Sequence, residues 1–219
     1  MKTRSALAVA AIVALFAPAA AQAQPDKYFV QEGFKPEGFT IGVLFQGGGF
    51  LSTSCCEIGG RRGGGGGGLR IGTVAADRLL WIVQLEAAAV PVKDTQDKTK
   101  LNSHSTVTVG AMYYPKRTLW VHAGIGFASY KIDETIDETK VVDLERSGFA
   151  FTSSVGFDIG RWTDAWSFGF SRQDLALSVE LRVGGGLYPG GTPSGGADMS
   201  KQKTGGILQI TSGIGLQWY

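Results

Sequence analysis

Seven charged or polar side chains could form one network of ion pairs, because each lies on the less apolar side of a stretch of alternating residues. The set contains both signs of charge and consists of Arg70, Gln84, Glu86, His122, Asp158, Glu180 and Arg182. A charge enclosed without a partner carries a large desolvation cost. We therefore expect Glu86 and Glu180 to pair with Arg70 or Arg182 in a structural plug. Catalysis by these carboxylates is a weaker alternative.

The run Asn102-Ser103-His104-Ser105 contains residue types that acyl-transfer enzymes use. A serine nucleophile needs a histidine base, which a carboxylate orients. The chain has one further histidine, His122. A serine next to a histidine is a weak signal for such a triad, so we interpret His104 as an ordinary loop residue and predict no catalytic residue.

Three other motifs have simpler explanations than chemistry. The adjacent pair Cys55-Cys56 has no further ligands nearby for a metal and is interpreted as incidental, with an intermolecular disulfide or a redox role left open. The run Gly63–Gly68 lacks the Gly-Lys-Ser/Thr of a phosphate loop and is predicted to be flexible chain leading into a strand. The repeated Ile-Asp-Glu-Thr at 132–139 predicts a solvated acidic loop, with divalent-cation binding as the alternative. We expect no metal and no cofactor.

The first residues have the parts of a secretory signal peptide. A basic start is followed by the apolar run Ala6–Phe16 and by an A-x-A cleavage site that ends at Ala23. The apolar run is shorter than a helix needs to cross a bilayer. We predict that residues 1–23 are removed, that 24–37 form a periplasmic N-terminal segment and that 38–219 form one barrel domain.

The chain after the predicted cleavage site has no net charge. Cleavage removes two of the 21 basic residues and leaves 19 against 19 acidic ones. Nucleic-acid binding needs a clustered basic face and is not expected. The 33 glycines favour strands and turns over helices.

Alternation of apolar residues, which places every second side chain on one face of a strand, is the strongest pattern. It occurs in eight segments: 39–46, 69–75, 79–89, 106–113, 119–128, 149–160, 175–184 and 208–219. The opposite face is rich in Gly, Ala, Ser and Thr, which suit the inside of a narrow barrel and make a poor solvated surface. The prediction is an all-β fold, an eight-stranded antiparallel up-and-down transmembrane β-barrel, rather than a soluble lipocalin-like barrel.

The predicted connections alternate between short and long, as in outer-membrane barrels. The short ones are 76–78 and 115–118, and the long ones are 47–68, 91–104, 132–147 and 188–204. Segment 161–174 breaks this alternation. We interpret it as an amphipathic excursion that lies at the periplasmic side of the membrane.

Aromatic residues are expected where lipid meets water. The strand ends on the predicted periplasmic side carry Trp81, Tyr113, Trp120, Trp162, Trp166 and Trp218. The opposite ends carry Phe127, Tyr130, Phe149 and Tyr188. These two sets predict one aromatic girdle at each membrane surface.

Over nearly all of its length after residue 23, the chain resembles the small outer-membrane barrels of the OmpA, OmpX and OmpW type. The likeness lies in the glycine-rich stretch Gly63–Gly72, the run Asp174–Arg182 and the C-terminal Gln217-Trp218-Tyr219. The resemblance implies that Trp218 and Tyr219 belong to the signal that the barrel assembly machinery reads.

The leading interpretation is a non-enzymatic, monomeric outer-membrane protein with a structural or surface-interaction role. Its expected partners are outer-membrane lipids and lipopolysaccharide, together with the barrel assembly machinery during biogenesis. The resemblance also implies two alternatives. One is a narrow porin-like channel for small solutes, and the other is a lipid-A-modifying outer-membrane enzyme.

Overall fold

The computed structural model describes residues 38–53, 61–93, 99–116, 118–136, 139–167, 172–189 and 204–219. They form eight strands: β1 (Phe39–Ser52), β2 (Arg61–Ala76), β3 (Leu79–Lys93), β4 (Thr99–Tyr113), β5 (Leu119–Ile136), β6 (Thr139–Ser167), β7 (Arg172–Tyr188) and β8 (Gly205–Trp218). Each strand pairs antiparallel with the next, and β1 pairs with β8 to close the barrel. The predicted fold class is therefore confirmed.

Three predictions fall on parts of the chain that the structure does not describe. They concern the cleavable signal at 1–23, the periplasmic segment at 24–37 and the pair Cys55-Cys56. Within the part that is described, no helix is long and apolar enough to cross a bilayer.

The strands are staggered around the barrel. A walk along paired residues that starts at Gly42 of β1 and crosses every strand returns to β1 at Ser52, ten residues further along. Such a stagger obliges the strands to tilt against the barrel axis, and eight strands then enclose a space just wide enough for side chains. The interior is therefore a packed core.

The outer face of the barrel is apolar. Large apolar side chains that are exposed by more than a third occur on every described strand except β2, and Phe45, Ile125 and Phe127 are exposed by 74%, 75% and 72%. A contiguous apolar surface of this extent is rare on proteins surrounded by water. It suits contact with hydrocarbon, as the transmembrane fold requires.

We expect Ile125→Arg to destabilise the barrel in a bilayer by about 2–4 kcal/mol, because that is the cost of a lipid-facing arginine near the midplane. The control is Ser129→Arg, on the same strand and face but next along that face to the exposed ion pair of Lys131 and Glu145, where we expect the cost of an interfacial arginine, about 0–1 kcal/mol. Equilibrium urea unfolding in lipid vesicles measures both variants. Equal small losses would contradict a lipid-facing Ile125.

The strands run further than the sequence alternation predicts, so three predicted long connections are wrong over much of their length. The run Gly63–Gly68, predicted to be flexible, belongs to β2 and pairs with residues 44–49 of β1. The predicted loop 132–147 is a hairpin of β5 and β6, and 91–104 is mostly strand. The ladder is held by backbone groups, so it continues where the side chains carry no alternating pattern.

The predicted interface excursion at 161–174 is also corrected. Residues 161–167 continue β6, and residues from Arg172 onward belong to β7. The pairing of these two strands shifts register between Asp158 and Gly160 and again between Trp162 and Trp166. Bulges of this kind insert extra residues into a strand, and they hide a strand from a search for strict alternation.

Candidate functional site inside the barrel

The side chains inside the barrel form three layers along its axis. We call the end where β1 begins and β8 ends the terminal end, and the opposite end the loop end. A central polar network separates two apolar layers, one at each end. The central polar network consists of Gln46, Arg70, Gln84, Glu86, Glu180 and Arg182.

Arg182 of β7 is the most connected member of the central polar network. Its guanidinium forms ion pairs with Glu86 of β3 and Glu180 of β7, and its Nη1 donates to Oε1 of Gln46 at 3.2 Å. The whole residue is 1% exposed. Arg182 therefore joins three strands through contacts that water does not screen.

Arg70 of β2 is the second cation of the network. Its Nη2 lies 2.8 Å from Oε2 of Glu180, and its Nε donates to Oε1 of Gln84 at 3.0 Å. The guanidinium carbon lies 4.9 Å from the centre of the Trp120 ring, within the range of a cation–π interaction. The structure thus brings both predicted arginines together with both predicted glutamates.

The contacts within the network leave its charges balanced. Gln84 donates from Nε2 to Glu86, and the hydroxyls of Thr106 and Thr211 donate to Glu86 and Gln46 at 3.4 and 3.0 Å. Two arginines face two glutamates, so each carboxylate is engaged by a cation. This arrangement can hold strands together, and it leaves neither glutamate free to act as a general base.

Two residues predicted for the same network lie elsewhere inside the barrel. His122 is 2% exposed, and neither of its ring nitrogens makes a hydrogen bond within the described part of the chain. Asp158 accepts a hydrogen bond at 3.2 Å from Nε1 of Trp120, nearer the terminal end. Both share the interior face with the network.

The layer at the terminal end is apolar and aromatic. It contains Leu80, Ile82, Met112, Tyr114, Trp120, Ala176 and Tyr219. The hydroxyls of Tyr114 and Tyr219 are hydrogen-bonded, and their rings are 6.1 Å apart. These side chains fill the barrel where β8 ends.

The prediction that Trp120 belongs to the membrane-interface girdle is wrong. Trp120 is 1% exposed and lies inside the barrel, since its position on β5 has the same parity as the buried His122. Its paired residue on β6 is Gly156, and a β-carbon at that glycine would overlap the indole ring. The missing side chain of Gly156 thereby makes room for Trp120.

The other predicted girdle residues have mixed outcomes. Trp81 is 54% exposed on the outer face, and Tyr113 and Trp218 are partly exposed on the same face. The side chains of Trp162 and Trp166 lie outside the described structure. Tyr219 turns inward, which makes Trp218 the lipid-facing aromatic of the C-terminal strand. The assembly role of these two residues stays a prediction.

The layer at the loop end contains Phe50, Ala88, Val90, Ala128, Tyr130, Ile132, Ala150, Tyr188 and Ile207. Tyr130 and Tyr188, which were predicted to lie at the membrane surface, are fully buried inside. Phe127 and Phe149 do face outward and are 72% and 64% exposed. Residues of even number from Trp120 to Ile132 of β5 face the interior, and this parity separates Tyr130 from Phe127.

His104 is not a loop residue as predicted, because it lies within β4 and is 3% exposed inside the barrel. Neighbouring residues of a strand point to opposite faces. Ser103 and Ser105 therefore point to the outer face, away from His104. No serine–histidine pair forms from this run. Among the described residues, no group of three or more His, Cys, Asp or Glu side chains could hold a metal ion.

The polar residues that sequence analysis missed are uncharged members of the same interior face. Gln46 accepts a hydrogen bond from Arg182, Thr106 donates to Glu86, and Thr211 donates to Gln46. The sequence analysis looked for charged residues that would need partners, and it therefore missed the uncharged glutamine and threonine side chains. Their parity along β1, β4 and β8 was the signal that could have found them.

Comparison with known proteins identifies similar folds but no family for this chain. Neither a family model nor a curated protein sequence matches the chain. One similar solved structure is that of Ail, the attachment invasion locus protein of Yersinia pestis, in complex with the heparin analogue sucrose octasulfate. It is 10% identical in sequence to this chain, with a TM-score of 0.51, and the match covers 83% of this chain and 99% of Ail. Neisserial surface protein A is 10% identical with a TM-score of 0.49, covering 82% and 96%. The architecture is that of small outer-membrane β-barrels.

Proposed function

We propose that this chain is a non-enzymatic protein of the bacterial outer membrane whose barrel is closed and whose role is structural or surface interaction. The observation that carries the proposal is an apolar outer face around an interior filled in three layers. The barrel acts as a monomer, with its outer face against membrane lipids and lipopolysaccharide. The barrel assembly machinery inserts it, and the loop end faces the outside of the cell.

The filled interior favours a closed barrel over the narrow porin-like channel. An ion that enters from the loop end meets the packed side chains of Phe50, Tyr130 and Tyr188. An ion that enters from the terminal end meets Trp120 and the hydrogen-bonded side chains of Tyr114 and Tyr219. Between these layers the network charges are paired with one another.

The hairpin of β5 and β6 supports a role in surface interaction. β6 begins at Thr139, whereas its pairing with β7 begins at Phe149. Within the described part of the chain, residues 139–145 therefore pair with β5 alone, and no described strand pairs with their other edge. Unpaired backbone groups along such an edge can bind an extended segment of another protein.

The burial of His104 supports a non-enzymatic role. A lipid-A-modifying enzyme of the serine–histidine type needs both side chains on one face, at the membrane surface. Here His104 is enclosed and the neighbouring serines face outward. We expect the lipid A of expressing cells to be unchanged by mass spectrometry, and a new or missing acyl chain would refute the non-enzymatic assignment.

Fractionation tests the proposed location. We expect the protein in the outer-membrane fraction and expect its gel mobility to change on boiling, because a folded barrel keeps its compact shape in detergent until it is heated. The variant Ile125→Arg serves as a control that weakens insertion. Recovery of the wild-type protein in a soluble fraction would contradict the proposal.

A closed barrel should not conduct ions. We expect no single-channel steps from the purified protein in planar bilayers, and none after Glu86→Gln. A general porin inserted in the same bilayer provides the positive control. Stepwise conductance in the wild type that changes in size with Glu86→Gln would favour the narrow channel and refute the closed barrel.

A further inference from the structure

Four polar side chains meet inside the loop end, beyond the central polar network. We call this group the loop-end polar cluster, and its members are His104, Tyr130, Arg146 and Tyr188 on β4, β5, β6 and β7. His104 is paired with Tyr130, and Tyr130 is paired with Arg146, so these three occupy one row across adjacent strands. The ring of Tyr188 lies 6.3 Å from that of His104 and 6.1 Å from that of Tyr130.

The loop-end polar cluster is buried and holds hydrogen-bonding groups without partners. His104 is 3% exposed, Arg146 is 7% exposed and Tyr188 is fully enclosed. Within the described part of the chain, Nη1 of Arg146 and the hydroxyl of Tyr188 make no hydrogen bond. Buried polar groups nearly always have partners, so these donors are available to hydrogen-bond a ligand.

The charge of Arg146 is not balanced by the carboxylates that the structure describes inside the barrel. Glu86 and Glu180 are engaged by the arginines of the central polar network. Asp158 lies twelve residues further along the same strand, roughly 40 Å away at about 3.3 Å per residue. The neighbouring Glu145 points outward and is 3.0 Å from Nζ of Lys131.

From these contacts we propose that the loop-end polar cluster binds a small oxyanion, namely a phosphate, sulfate or carboxylate group. A guanidinium presents paired donors that match two oxygens of such a group, and it stays charged at every physiological pH. The hydroxyl of Tyr188 and one ring N–H of His104 can donate to the remaining oxygens. Phe50, Val90 and Ile132 are buried in the same layer, so the surroundings of the loop-end polar cluster are apolar.

The test uses the full chain refolded in a phosphate-free zwitterionic detergent and titrated with inorganic phosphate in a calorimeter. We expect saturable binding that Arg146→Gln weakens at least about tenfold, as expected for loss of a charged hydrogen-bonding partner. Tyr188→Phe removes a single hydroxyl and should weaken binding by a smaller factor. Arg62→Gln removes an exposed arginine of β2 and should leave binding unchanged.

A second measurement keeps the proposal testable if calorimetric heats are small. Phosphate should raise the urea midpoint of the wild type, because a ligand that binds the folded state alone stabilises it, and it should not raise that of Arg146→Gln. Without phosphate, Arg146→Gln should be at least as stable as the wild type, since it removes an unpaired buried charge. A phosphate effect that is absent from the wild type, or equal in both proteins, would overturn the proposal.

The oxyanion could come from a free solute or from a lipid headgroup, and a further titration separates these sources. Short-chain phosphatidic acid is compared with inorganic phosphate on the same protein. Tighter binding of the lipid that Arg146→Gln abolishes supports a headgroup, and tighter binding of phosphate with the same loss supports a free anion. Binding of either probe that ignores Arg146→Gln counts against the site.

Discussion

Arg182→Met should destabilise the folded barrel by about 3–5 kcal/mol, the cost typical of removing one partner from a buried ion pair. The side chain of Arg182 is fully enclosed and holds Glu86 and Glu180 on two different strands. Its loss leaves two buried carboxylates facing the single remaining arginine of the network, Arg70. Equilibrium urea unfolding in lipid vesicles measures the loss as a lower free energy of unfolding.

Two variants control for this result. Lys131→Met breaks an ion pair with Glu145 whose side chains are 43% and 40% exposed, and exposed pairs contribute under about 1 kcal/mol. Combining Glu86→Gln with Arg182→Met should recover part of the stability lost in the single variant, because the two residues interact directly. If Arg182→Met cost no more than Lys131→Met, the central polar network would not hold the barrel together.

The face of each central strand could be predicted from the sequence because the side-chain period of a strand is two. Where one face of a strand is apolar and the other is small or polar, the apolar face lies against lipid and the other face lies inside the barrel. Arg70, Glu86, Glu180 and Arg182 share that polar face, so their meeting inside a narrow barrel follows from parity and from the cost of an unpaired charge.

The loop-end polar cluster could not be predicted by the same reasoning. Arg146 and His104 lie in stretches where polar residues occupy both faces, and such stretches were interpreted as loops. Their strands are held there by backbone pairing with a neighbour, which leaves no hydrophobic pattern in the sequence. The glycine run of β2 was missed for the same reason.

Three aromatic residues lie where their position in the strand places them and not at the membrane surface that their residue type prefers. Tryptophan and tyrosine favour membrane surfaces, and that preference assigned Trp120, Tyr130 and Tyr188 to the two girdles. Each of them has the parity of the interior face, and the structure follows parity. Whether a side chain faces lipid or the barrel interior is thus better predicted by its position in the alternation than by its residue type. A strand cannot turn a single side chain to the opposite face without a bulge.

Trp120→Ala should therefore destabilise the barrel by about 3–5 kcal/mol, as expected for truncating a large buried aromatic side chain. Trp120 is 1% exposed, donates from Nε1 to Asp158 and packs against the guanidinium of Arg70. Trp81→Ala is the matched control, because Trp81 is 54% exposed on the outer face and should cost less. Urea unfolding in vesicles compares the two variants.

Gly156 provides a second, independent check on the position of Trp120. A β-carbon at Gly156 would overlap the indole ring, so Gly156→Ala should destabilise the wild type. In the Trp120→Ala background the ring is gone, and the same substitution should lose most of its effect, which a double-mutant cycle measures as coupling between the two sites. If the two losses simply add, or if Trp120→Ala costs no more than Trp81→Ala, the indole does not pack inside the barrel and the terminal end is not closed by it.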